Sequence, residues 1–353
     1  MYIDCGIADR CGEVSSSTSI IPISCMRILH PRTLTTVVIP FSLGITLSLI
    51  VGTISPVFAQ LPPAAETLPQ EPIAHFALWQ AMVLGMVQGL TEFLPISSTA
   101  HLKAVPVFLG WGDPGVTFTA VIQLGSIAAV LGYFWADLTQ LATGTFKALF
   151  RGDFKASELR ITVGIMVGTL PIVVVGLLMK ALVPDLDNSP LRSMTAIAIA
   201  SIVMALLLGL AERLGRRKRD YESLKVVDGV LMGLAQTLAL IPGVSRSGST
   251  ITAGLFMDLE RSTAARFSFL LGIPAITLAG LVELKTEVID VGVKLSEIYP
   301  LVMGVISSAI FSYVAIAWLI EYLKRQNTWI FVWYRLGFGF LILGAIALEW
   351  ISN

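Results

Sequence analysis

The chain has 353 residues, of which 55% are hydrophobic and 14% charged, and its mean hydropathy is +0.80. Soluble domains carry about 25% charged residues, so a soluble globular protein is excluded and a polytopic membrane protein is predicted. Lys plus Arg balance Asp plus Glu at 24 each, and this neutrality makes no case for a nucleic-acid partner.

From the N-terminus, the three cysteines, Cys5, Cys11 and Cys25, all precede Met26. A thiolate nucleophile, a cysteine zinc site and an iron–sulfur cluster are therefore excluded from the rest of the chain. Met26 opens what reads as a secretory signal. Arg27, His30 and Arg32 form a basic start, residues 33–55 are apolar, and Val57-Phe58-Ala59 supplies a small-x-small cleavage site. An uncleaved anchor reads equally well, and residues 1–25 fit a mis-assigned start or a tail. Residues 1–59 are thus an extension with a signal or anchor segment, 60–76 a Pro-, Glu- and Gln-rich linker, and 77–353 the membrane domain.

Apolar runs at about 117–136, 160–180, 194–213, 265–285, 298–320 and 329–351 each approach the ~20 residues that cross a bilayer as a helix. Two further segments, about 78–111 and 226–262, are interrupted by Pro95 and by Pro242-Gly243. Proline removes a backbone donor and breaks a helix, so both are predicted to be helical hairpins with a non-helical tip. Basic residues mark cytoplasmic loops. Lys147, Arg151 and Lys155 put 137–159 inside, and Arg213, Arg216, Arg217, Lys218, Arg219 and Lys225 do the same for 213–225. Lys324 and Arg325 put 321–328 inside, while Asp185 and Asp187 against Arg192 put 181–193 outside. The sides alternate only if the first hairpin enters and returns from outside and the second from the cytoplasm. The halves also match: Pro95–Ser98 repeats as Pro242–Ser245, Leu124-Gly125 as Leu271-Gly272, and Gln88 and Gln236 precede their prolines by similar distances. The predicted fold class is an all-α polytopic membrane protein of two inverted repeats, about 77–213 and 226–351. Each repeat is a re-entrant helical hairpin plus three transmembrane helices.

The hairpin tips carry polar groups that are expensive at membrane depth and usually line a working cavity. Gln88 and Glu92 share one helix face. Glu92 can act as a general base, or the pair can hold a hard divalent cation through oxygen ligands. A carboxylate satisfied by backbone donors is the bland alternative. Ser97, Ser98 and Thr99 follow Pro95, which reads as a helix start, where hydroxyls also serve as caps. His101 shares a face with Ser98 and can activate it, or can itself be the nucleophile. In the second tip Arg246 stands among Ser245, Ser247, Ser249 and Thr250, with Gly243 and Gly248 allowing tight backbone. A guanidinium fork suits phosphate oxygens, and helix N–H groups complete an anion site. A snorkelling surface arginine fits a Pro-Gly break poorly.

At these residues the chain resembles the undecaprenyl-pyrophosphate phosphatases of the bacitracin-resistance type. The likeness runs through about 77–351, and its most specific parts are Gln88–His101, Val121–Ser126, Pro242–Gly248 and Phe267–Leu271. The resemblance implies an interdigitated inverted-repeat fold with the site opening to the outer, periplasmic side of the bacterial plasma membrane. It also implies removal of the terminal phosphate of undecaprenyl pyrophosphate, which recycles the carrier for peptidoglycan synthesis. Carried onto this chain, it makes Glu92, Ser98, His101 and Arg246 catalytic, with serine and histidine both open as nucleophile. Ser97, Thr99, Ser245, Ser247 and Thr250 join Arg246 around the phosphates, and a divalent cation, magnesium or calcium, falls at Gln88 and Glu92. The implied partners are a polyprenyl pyrophosphate lipid and the bilayer, without nucleic acid; a homodimer stays open. Gln88 takes the neutral option at its position, Ala100 stands where glycine is common, and Thr119 where an acid is frequent. The rival reading is a transporter or flippase for a phosphorylated polyprenyl lipid. A type-2 phosphatidic acid phosphatase needs two histidines, and the membrane body offers His101 alone.

Overall fold

The computed structural model describes residues 77–182, 189–289 and 295–351. The expected signal or anchor segment, the linker, the cysteines, His30, His75, Asp185 and Asp187 lie outside the described residues. Among those described, the regular structure is helical, apart from one isolated bridge between Arg219 and Leu259. The first half holds α1 (Leu78–Phe93), α2 (Ser98–Phe108), α3 (Gly115–Tyr133), α4 (Trp135–Arg151), α5 (Ser157–Leu182) and α6 (Met194–Leu214). The second holds α7 (Val226–Thr237), α8 (Arg246–Phe256), α9 (Arg261–Glu283), α10 (Leu295–Arg325) and α11 (Trp329–Ala347).

Among the described residues, six helices are long and apolar enough to cross a membrane: α3, α5, α6, α9, α10 and α11. They coincide with the six predicted runs. The loop 137–159 differs, because most of it is α4. That helix buries Leu141 and Ala148 and ends at Gly152 in the left-handed region with φ 65°. Its one-sided apolar pattern and glycine stop are helix signals that the basic residues masked.

The predicted breaks are present. Leu94, ahead of Pro95, is driven to an extended ψ of 143°, which ends α1. The hairpin arms α1, α2, α7 and α8 have 16, 11, 12 and 11 residues. All fall short of the ~20 that a span needs. The second arms restart in the same way. Ser97 (φ 78°) accepts from the Ala100 N–H and Ser245 (φ 74°) from the Gly248 N–H, each as an N-cap.

Glycines decide how the arms pack. A Cβ on Gly85 would lie 2.2 Å from the Gly304 carbonyl oxygen and one on Gly89 2.6 Å from that of Ser308, so α1 lies directly on α10. A Cβ on Gly229 would lie 2.2 Å from the Gly164 oxygen, and one on Gly233 1.9 Å from the Gly168 oxygen, which seats α7 on α5. Each first arm thus packs on the second span of the other half, and α6 packs on α11. These contacts place Glu92 and Gln236 alike, each three residues past a packing glycine, while Ser97 and Ser245 correspond as N-caps, eight and twelve residues past those glycines. The sequence pairing of Gln88 with Gln236 and of Ser98 with Ser245 is therefore shifted. The 3₁₀ turn Leu238–Leu240 lengthens the second tip and moves its proline relative to the cap.

Gly233→Ala is expected to destabilise the purified protein by roughly 1–3 kcal/mol, because backbone on both sides blocks relief. Gly337→Ala, where a Cβ meets nothing within 4 Å, serves as the control. A melting temperature equal for the two variants would contradict this packing.

Candidate active site

The two tips meet at one carboxylate. Glu92, 9% exposed in the last turn of α1, holds groups from both breaks. Ser98 donates its hydroxyl to Glu92 Oε2 at 2.6 Å, and Arg246 Nη2 lies 3.4 Å from Oε1. Gln88 Nε2 donates to Glu92 Oε2 at 3.2 Å and to Gln123 Oε1 at 2.8 Å. Gln123, on α3, belongs to the Val121–Ser126 segment but was not singled out as a site residue.

Arg246 is the first residue of α8, and its side chain lies against α9 where Gly272 leaves room. A Cβ there would stand 1.8 Å from Nη1. The guanidinium lies 6.0 Å from the Phe93 ring centroid, and Phe93 meets Phe269 edge-on at 5.3 Å in the apolar core. Its Nε and Nη1 are buried without a partner, as is Gln88 Oε1. Unmet donors on a buried cation are costly unless a ligand supplies acceptors. A phosphate supplies them in the geometry that the guanidinium fork prefers.

His101 is arranged differently from expectation. Its Nδ1 lies 2.7 Å from the Ser97 carbonyl oxygen, which can only accept, so Nδ1 carries the proton. Nε2 then accepts from the Tyr334 hydroxyl at 2.7 Å, and the ring stacks on Phe338 at 4.3 Å. Helical side chains lean toward the N-terminus, which carries the imidazole to the carbonyl of Ser97 instead of to the side chain of Ser98. The proton acceptor beside Ser98 is Glu92.

The expected phosphate-binding hydroxyls are mostly engaged within the protein. Ser97 and Ser245 are caps, Ser247 donates to the Leu94 carbonyl at 3.0 Å, and Thr250 to the Arg246 carbonyl at 2.8 Å. A hydroxyl has one proton to give, so Ser247 fastens the second tip to the first and Thr250 is spent within α8, while Thr99 is exposed. The positive φ at Ser97 and Ser245 costs of order 1–3 kcal/mol each, and the surrounding caps and bonds hold it in place.

A divalent cation fits the oxygens present. Among the described residues no group of three or more His, Cys, Asp or Glu side chains gathers to form a protein-only cage. Glu92, the unpartnered Gln88 Oε1, Gln123 and Ser98 instead form a partial set with one carboxylate. Magnesium is typically held by one or two carboxylates together with substrate phosphates.

Sequence reading passed over Arg335 and Tyr334 on α11. A lone arginine inside an apolar span was a signal in its own right. Arg335 is 1% exposed and reaches both tips. Gly272→Ala is expected to displace the Arg246 guanidinium and weaken binding of a phosphate-bearing ligand about 100-fold. Unchanged binding would count against Arg246 as a phosphate clamp.

Residues 81–341 match the model of the family described as Bacitracin resistance protein BacA. The chain belongs to this family. The BacA match contains every site residue named above. Relatives include the undecaprenyl-diphosphatase of Trichormus variabilis, 66% identical over 281 residues, covering 80% of this chain and 88% of the relative. That of a Synechocystis species is 65% identical over 271 residues, covering 77% and 83%. The Synechococcus enzyme of the same name is 60% identical over 293 residues, covering 80% and 98%.

Proposed function

We propose that this BacA-family chain is a membrane phosphatase that hydrolyses undecaprenyl pyrophosphate to undecaprenyl phosphate and phosphate. The observation that carries the chemistry is Glu92 holding Ser98 from one tip and Arg246 from the other. The relatives' names, at 60–66% identity for three of them, supply the substrate. Recycling of the cell-wall lipid carrier and bacitracin resistance follow at the level of the family.

In the proposed reaction the pyrophosphate binds against Arg246, drawing on its unpartnered Nε and Nη1. Glu92 takes the Ser98 proton as Oγ attacks the terminal phosphorus, and the bridging P–O bond breaks. Undecaprenyl phosphate leaves. Water then displaces Ser98 from the phosphoserine and releases inorganic phosphate. His101, proton-bearing at Nδ1 and held at both nitrogens, supports the Ser97 turn in this scheme. A magnesium or calcium ion, bound by Glu92 and the free oxygen of Gln88, would neutralise phosphate charge.

Two inverted repeats are the architecture we favour. The support is the exchange of hairpin and second span between halves, together with matched Ser97 and Ser245 caps. The protein is proposed to sit in the bacterial plasma membrane with its site open to the periplasm. A homodimer is compatible with this arrangement. A lipid transporter is not favoured, since a carboxylate repels the phosphate that such a site has only to bind.

The test is phosphate release from undecaprenyl pyrophosphate by the purified protein, with and without a chelator. Chelator-sensitive release is expected. Lipid binding without release would replace the phosphatase with the transporter.

A further inference from the structure

Arg335 has the largest side chain among the fully buried residues described, and its polar contacts run to backbone carbonyls. Nη1 donates to Pro95 at 3.0 Å, Nη2 to Gly243 at 2.8 Å and Val244 at 3.0 Å, and Nε to Ser201 on α6 at 3.2 Å. One guanidinium therefore grips both hairpin tips from a third element. We infer that Arg335 is a positioning residue that sets the separation and orientation of the two tips, and so brings Ser98 and Arg246 onto Glu92.

The carbonyls that it holds adjoin the conformations on which the site depends. Val244 immediately precedes Ser245 (φ 74°), Gly243 has φ 91°, and Pro95 lies two residues ahead of Ser97 (φ 78°). In a planar trans peptide the C=O and N–H point to opposite sides. Fixing the Val244 carbonyl on Arg335 therefore turns the Ser245 N–H to the other side of the tip. Only a planar fork with five donors reaches three elements at once; a lysine ammonium is a compact point charge on a single stem. Two further contacts link α11 to the tips. Gly248 keeps its space clear, since a Cβ there would stand 3.0 Å from Arg335 Nη1. Tyr334, the preceding residue, holds His101, which in turn holds the Ser97 carbonyl.

The inference rests on the phosphatase reading only for its kinetic consequence. Arg335→Lys keeps the charge and loses the fork, whereas Arg335→Gln loses both. The full-length variants in detergent are compared with wild type for phosphate release from undecaprenyl pyrophosphate and for amide hydrogen exchange over 94–101 and 241–250. Both variants are expected to lose at least about 100-fold in kcat/KM. Exchange should rise at both tips while the spans α3, α5 and α9 keep wild-type protection.

Near wild-type activity in Arg335→Lys, or exchange raised at one tip only or at neither, would overturn the inference. Raised exchange at both tips in a protein whose wild type releases no phosphate would keep the positioning role and remove the phosphatase reading. Should both variants lose protection throughout, Gly248→Ala is measured in the same way. Unchanged exchange at the distant 94–101 tip would then count against Arg335.

Discussion

Arg246→Ala is expected to lower kcat/KM for undecaprenyl pyrophosphate by about 1,000-fold or more, the range for removing a guanidinium that stabilises a transferring phosphoryl group. The effect has two sources. Nε and Nη1 are buried donors without a protein partner, so a phosphate that reaches them breaks no existing bond. Arg246 is also the cation beside Glu92, and its loss leaves a buried carboxylate facing an incoming anion. Arg246→Lys should recover only part of the activity, because a point charge cannot reproduce the fork. Phosphate release at fixed protein concentration, with hydrogen exchange to show that the helices are intact, measures this. Retention of more than about a tenth of wild-type activity in Arg246→Ala would exceed what a phosphate clamp permits.

Glu92→Gln is expected to reduce kcat by about 100- to 10,000-fold, the range for a general base. The amide can still meet Ser98, at 2.6 Å in the wild type, but it cannot take the proton. This substitution therefore separates proton transfer from packing. His101→Gln provides the contrast, since both ring nitrogens are already engaged by Ser97 and Tyr334. If His101→Gln abolished turnover while Glu92→Gln spared it, the histidine would be the attacking or proton-accepting group and the proposed roles would exchange. Single-turnover phosphate release separates this chemical step from lipid release.

The loop 137–159 shows where reading the chain residue by residue stops. Its lysines and arginine place it among charged connections, yet Trp135–Arg151 is helical because one face buries Leu141 and Ala148. Charge is visible along the chain, whereas the neighbour that receives an apolar face is not. The offset between the tips has the same origin. Pro95 and Pro242 are the evident landmarks, but the spacing from packing glycine to N-cap differs between the two segments, with the turn Leu238–Leu240 lying inside the longer one. His101 follows this pattern too. Its place beside Ser98 was legible, but its choice of the Ser97 carbonyl and Tyr334, more than two hundred residues on, was not.

By itself the sequence determined the membrane character, the six long apolar helices, both proline breaks and the polar residue types at the tips. Each depends on local composition or on the backbone chemistry of proline, which act without knowledge of distant contacts. Only the tertiary structure decided that Glu92 joins Ser98 to Arg246 and that Arg335 ties both tips from α11. The partners in these contacts lie as much as 240 residues apart, and helix packing through glycine, which leaves no polar trace in the chain, determines which of them meet.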